Sequence, residues 1–243
     1  MELHEHRDAL LARCRRTPGV TSLVVFGSSA AGGDGRRDGW SDLDFNLFVA
    51  EPAAALARDW PFLPFRERLV MAAHEGENGG VALYDDGVLY EFGAGRPWTI
   101  RDPQRQVLLD GGDLRFADPD PLPDPADEVA LFLAKLYIGV GRVRRGERVS
   151  GNAHVRAHAL TCLAEALRQR LAPQAPRSPF DPLRRLEQAL PEVAARLADA
   201  LDADVETCAR SLFRLARELL EPGWSQFPGT AADVVAARLG WPG

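Results

Sequence analysis

Val20-Thr21-Ser22-Leu23-Val24-Val25-Phe26, then Gly27-Ser28-Ser29, a glycine-rich polar spacer to Trp40, and Ser41-Asp42-Leu43-Asp44-Phe45-Asn46-Leu47-Phe48-Val49-Ala50 read as two strands with a long connection between them. The first run is short and β-branched, as a buried strand requires. Gly27 ends it abruptly. In the second run Leu43, Phe45, Leu47 and Val49 alternate with Asp42, Asp44 and Asn46, so one face is apolar and the other begins polar. Two carboxylates two residues apart on a strand share a face, roughly 7 Å apart at their Cα atoms. They can converge on a hard cation, and Mg²⁺ suits an all-oxygen site completed by water and phosphate. A Gly-Ser turn leading from a strand to a helix N-terminus offers bare N–H groups and a hydroxyl to a phosphate. Acidic pair and phosphate cradle together predict metal-assisted phosphoryl or nucleotidyl transfer.

Outward from this stretch the local signals are clear. Leu3, Leu10, Leu11 and Cys14 have helical spacing within residues 2–16, Arg13, Arg15 and Arg16 sit where the helix dipole favours cations, and Thr17-Pro18-Gly19 is a stop. Pro52 to Arg68 predicts one or two short helices interrupted at Pro61 and Pro64, and Leu69 to His74 a strand. Val81 to Tyr84 and Val88 to Phe92 flank Asp85-Asp86-Gly87, a strong hairpin cue. Turn chemistry accounts for Asp85 and Asp86. Glu91 lies inside the second strand and is the sole charge between Val88 and Gly95. Asp118 to Pro125 carries four prolines and three aspartates and reads as a linker. The predicted domains are therefore residues 1–120 and 121–243.

Beyond the linker the period becomes helical. Val129, Phe132, Leu133, Leu136, Val140 and Val143 make one stripe that Arg144-Arg145-Gly146 closes. Asn152 is placed to cap a second helix with Leu160, Leu163, Leu167 and Leu171 on one face. Pro182 and Pro191 suit first-turn positions, Asp204 to Leu220 reads as a long helix, and Thr230 with Asp233 resembles a capping box for a last helix closed by Gly240. The predicted class is α+β: an N-terminal mixed β-sheet flanked by helices, then an all-helical bundle of about five helices.

Composition narrows the function. With 243 residues, 46% hydrophobic and 26% charged, the chain is long and apolar enough for real cores, which excludes disorder and coiled coil. No apolar run approaches the roughly 20 residues of a membrane helix, and Met1-Glu2-Leu3-His4-Glu5-His6 lacks an export signal, so a cytoplasmic protein without a membrane partner is expected. Cys14, Cys162 and Cys208 are odd in number and without a CxxC pair, as in a reducing compartment. Residues 1–125 hold 21 acidic and 13 basic side chains, residues 126–243 hold 14 and 16, and the total of −6 argues against nucleic acid. Lys135 is the lone lysine, which composition alone explains as codon usage.

The combination of Phe26-Gly27-Ser28, the spacer and the apolar-flanked Asp42-Leu43-Asp44-Phe45 resembles the signature of the polymerase-β-like nucleotidyltransferase superfamily, and the likeness extends from Phe26 to Phe92. The resemblance implies that Gly27, Ser28 and Ser29 bind the triphosphate, that Asp42 and Asp44 hold Mg²⁺, and that a third acid on a later strand, here Glu91, completes the metal site. Within the superfamily the arrangement is most similar to the aminoglycoside and lincosamide adenylyltransferases. This implies transfer of AMP from ATP, or another NMP from its NTP, to a hydroxyl of a small molecule, with Glu91 as general base. Antitoxin-type members carry an arginine where this chain has Ala31. A catalytically silent nucleotide-binding module, and transfer to protein or RNA, are the other readings of the same pattern.

Further candidates come from the remaining charges. Lys135 and Arg142 lie off the apolar stripe, two turns apart at nearly one azimuth, and would meet a triphosphate if that face closed over the cleft; a solvated helix face is the plain alternative. Arg36 and Arg37 are within reach of phosphate on the spacer, which otherwise reads as an exposed loop. His154 and His158 have i,i+4 spacing but no third ligand nearby, which favours a helix-surface or interface role, and His4 and His6 are read as part of a frayed terminus. Monomer and cleft-sharing homodimer are both open.

Overall fold

A computed structural model describes residues 2–30, 37–50, 56, 59–178 and 181–241. The chain divides between Asp120 and Pro121 into two units, each with its own core. In the first unit, helix α1 (Leu3–Cys14) precedes β1 (Val20–Phe26), and a 3₁₀ turn, Gly27–Ser29, leaves that strand. The strands β2 (Leu43–Val49), β3 (Leu69–Glu75), β4 (Gly79–Tyr84) and β5 (Leu89–Gly95) follow. Three short ones, β6 (Thr99–Ile100), β7 (Arg105–Leu109) and β8 (Arg115–Phe116), complete the unit. The main sheet has the order β3-β4-β5-β2-β1-β7. Its β2–β5 pair is parallel and the others are antiparallel, so the sheet is mixed.

The alternation of β2 fixes which way the sheet faces. Leu43, Phe45, Leu47 and Val49 enter a core with Leu10 and Cys14 of α1 and with Trp60, Phe62 and Leu63. Phe45 stacks on Phe92 at 5.1 Å between ring centroids and meets the edge of Phe62 at 6.3 Å. Each such side chain contributes about 1.5–3 kcal/mol through burial. Asp44, Asn46 and Phe48 turn the other way, and Phe48 joins Val24 and Ile100 in a small second cluster beneath Trp98. The ladders of β6, β7 and β8 were not expected from the sequence: β7 is a half-buried edge strand without alternation, and its pairing with β1 is a tertiary effect.

The frayed terminus expected at His4 and His6 is corrected by the structure. Glu2 N donates to Glu5 Oε2 at 2.8 Å, tying the first turn. His4 is exposed, but His6 is fully buried, with Nδ1 2.9 Å from Tyr90 Oη and Nε2 3.1 Å from Asp86 Oδ2. Phe65, Tyr84 and Tyr90 surround its ring edge to face. Asp86 therefore does more than close the hairpin, since Arg68 Nη2 also reaches it at 2.9 Å. Burial pushes the Asp86 carboxyl up, but the hydrogen bond and charge of His6 outweigh this and hold it well below the usual carboxylate range. A carboxyl depressed on folding stabilises fully above its unfolded pKa, about 3.9, and loses that contribution as pH falls through the folded value. Asp86→Asn is expected to lower stability by about 1–3 kcal/mol at pH 7 and to flatten the acid limb below about pH 4. Urea melts at stepped pH values measure this, and an unaltered acid limb would clear Asp86 of the role.

The second unit is helical. Asp124 accepts from Ala126 N at 2.7 Å and opens α2 (Pro125–Arg144) with proline in its first turn. Next come α3 (Arg148–Ala153), a π-helical segment (His154–Ala159) and α4 (Leu160–Leu171), then α5 (Leu186–Ala189), α6 (Pro191–Asp202), α7 (Val205–Leu220, capped by Asp204) and α8 (Gly229–Leu239), closed by Gly240 at φ +69°. Val129, Phe132, Leu136 and Val140 pack with Leu163, Leu167, Leu212 and Phe213. A Cβ at Gly151 would lie 2.7 Å from Gly139 O, so α2 and α3 cross nearly backbone to backbone.

Four local expectations fail here for stated reasons. Asn152 does not cap a helix, because the helix begins at Arg148 and its Nδ2 donates to Arg148 O at 2.8 Å. Leu171, at the end of α4, is exposed. Pro182 lies in a turn, whereas Pro191 does open a helix. Thr230 and Asp233 form no capping box, since α8 starts at Gly229 directly after Pro228 and Asp233 is paired with Arg217 at 2.6 Å. No helix among the described residues is long and apolar enough to cross a membrane.

Candidate active site

The pairing of β2 with β5 assembles the acids. Asp44 lies directly opposite Glu91 in this parallel ladder, on strands spaced about 4.8 Å. Asp42 precedes Asp44 by two residues, on the same face. Each of the three offers a carboxylate oxygen, and these atoms lie within 4.8 Å of one another, with Asp42 and Asp44 half-buried and Glu91 exposed. Among the described residues this is the one cluster of three metal-ligating side chains. Its donor set is all carboxylate, the hard-oxygen chemistry that Mg²⁺ takes.

The Gly-Ser turn packs against the same acids. Gly27 adopts φ +59°, and a Cβ there would stand 3.2 Å from Asp44 Oδ2, so glycine lets the turn lie close to the carboxylate without strain. Gly27 N donates to Gln104 O at 3.3 Å, which anchors the turn to the approach of β7. Ser29 is buried and its hydroxyl donates to Asp42 O at 3.3 Å, linking the two halves of the sequence pattern. Ser28 is half-buried, and Arg37 Nε donates to its carbonyl at 2.9 Å, placing that guanidinium beside the turn. Arg36 lies outside the described residues, as does most of the spacer.

Sequence reasoning passed over the continuation of this face. Asn46 follows Asp44 at the same alternation, and a Cβ on Gly93 would come within 2.8 Å of Asn46 Oδ1 and 3.0 Å of the Trp98 ring. Asn46, Gly93 and Trp98 thus form a close-packed floor beyond the acids. The signal was present in the polar series Asp42, Asp44, Asn46.

Lys135 and Arg142 belong to the second unit. Both are half-buried on α2, and Arg142 Nη1 donates to Ser150 Oγ. They gather around His154, whose imidazole is held below its ordinary pKa by burial first and then by the charges of Arg142, His158 and Lys135. The rings of His154 and His158 lie 5.3 Å apart, and His154 Nδ1 is buried without a hydrogen-bond partner among the described residues. The two histidines are therefore part of a basic cluster at the α2–α3 crossing.

No family model matches this sequence, and no curated protein matches it. Among solved structures, an aminoglycoside 6-adenyltransferase from Bacillus subtilis aligns with 100% of this chain and 93% of its own, at 10% identity and a TM-score of 0.36.

Proposed function

We propose that this protein is a metal-dependent nucleotidyltransferase that moves a nucleoside monophosphate, AMP from ATP, onto a hydroxyl of a small molecule. One observation carries the reading: Asp44 and Glu91 face each other across parallel strands with Asp42 beside them, against a left-handed turn at Gly27. Asp42, Asp44 and Glu91 would hold Mg²⁺, which when bound neutralises phosphate charge and acidifies a nearby hydroxyl. Gly27 would let the triphosphate approach the turn closely, the N–H groups of Ser28 and Ser29 and the Ser28 hydroxyl would bind it, and Arg37 adds positive charge at that turn.

The chain's own proton chemistry centres on Glu91. Its exposed carboxylate accepts the proton of the acceptor hydroxyl, the freed oxygen bonds to the α-phosphorus, and the bond to the pyrophosphate oxygen breaks. The acidic excess of residues 1–125 favours a cationic acceptor of aminoglycoside type, or a lincosamide, over nucleic acid.

The test uses α-labelled ATP with a panel of aminoglycosides and lincosamides. Label is expected in an acceptor adduct in step with pyrophosphate release, and chelation of Mg²⁺ should stop both. Transfer that survives chelation, or a protein that fails to bind ATP with Mg²⁺, would overturn the proposal.

A further inference from the structure

Trp60, Trp224 and Trp241 are buried and Trp98 is half-buried, but Trp40 is 95% exposed. An indole left in water forgoes one of the largest apolar burials open to any side chain and leaves its full ring face available for contact. Its backbone is held in place. Trp40 N donates to Asp38 Oδ1 at 2.9 Å, Ser41 N donates to Asp38 O at 3.2 Å, and Asp38 N donates to Ser41 Oγ at 3.0 Å. The turn formed by residues 38–41 is closed on itself and runs straight into Asp42. Trp40 Cα therefore lies no more than about 7 Å from that of Asp42, two residues on. The turn thus carries a bare ring on a held backbone two residues before the first acid of the cluster.

We propose that Trp40 is the stacking platform for the nucleobase of the bound nucleoside triphosphate. This rests on the nucleotidyltransferase reading and adds to it a binding residue. Stacking uses the π face that every base has, and it is tolerant of base identity. This contact by itself does not discriminate ATP from GTP. No hydrogen-bond reader of the base edge is required.

Because the other four tryptophans are shielded to different degrees, acrylamide quenching of the full-length chain reports chiefly on Trp40, and Trp40→Phe supplies the background. ATP or GTP with Mg²⁺ is expected to reduce quenching toward the Trp40→Phe level. Inorganic tripolyphosphate with Mg²⁺, which has no base, is expected to bind without shielding the ring. Calorimetry should show ATP binding weakened about tenfold in Trp40→Ala and less in Trp40→Phe. Since the side chain is bare, these variants lose no packing, and thermal melts check that they fold. ATP that binds by calorimetry while Trp40 stays fully quenchable overturns the stacking role and leaves the nucleotidyltransferase reading standing. Equal shielding by tripolyphosphate, or shielding only by an acceptor, likewise overturns the nucleobase assignment. A protein that binds no ATP by calorimetry removes both.

Discussion

Asp44→Asn is expected to lower Mg²⁺-dependent pyrophosphate release by at least about a hundredfold while leaving the fold intact, and Asp42→Asn to do the same. Asparagine keeps the shape of the side chain, and the β2 ladders on either side of Asp44 are made by backbone groups. What changes is charge. Three carboxylates with oxygens within 4.8 Å repel one another without a cation between them. Thermal melts of the metal-free Asp44→Asn protein check that the fold is kept. Mg²⁺ should raise the melting temperature of the parent by mass action and leave that of the variant nearly unchanged. Melting curves with and without Mg²⁺ and a pyrophosphate assay together make the check. Undiminished turnover in either variant would remove the metal site from the mechanism.

Glu91→Gln is expected to cost about 10²–10⁴-fold in kcat while the protein still binds ATP. The amide matches the carboxylate in size but cannot accept a proton at neutral pH, so the loss should fall on the chemical step. Glu91 is exposed, unlike its partners Asp42 and Asp44, which suits a group that must meet an incoming hydroxyl. Single-turnover kinetics together with calorimetric ATP binding separate the two effects. A variant with full activity would move the role of base elsewhere.

Much of this arrangement was legible from short-range pattern. Alternation placed Asp42 and Asp44 on one face, and the Asp-Gly turn placed the hairpin that carries Glu91. That Glu91 meets Asp44 is another matter, because β3 and β4 intervene in the chain and local periodicity does not encode which strands become neighbours. The third acid came from family resemblance, not from spacing. His6 was misread because its partners Asp86 and Tyr90 lie 80 and 84 residues away, so nothing around it in sequence marks it as buried. The π-helical segment and the Gly139–Gly151 crossing escaped for a related reason: an apolar stripe is the same whether a helix winds regularly or not, and a glycine shows its use only against a neighbour.

The stacked pair Phe45 and Phe92 occupies the rung of the β2–β5 ladder directly after Asp44 and Glu91. A slip of β5 by one residue would swing Glu91 into the aromatic core and push Phe92 out into water, two large penalties incurred together. Misalignment therefore does not produce a slightly loose site; it produces a chain that does not fold there at all. The aromatic rung serves as an alignment pin, which makes correct placement of the acids a by-product of folding.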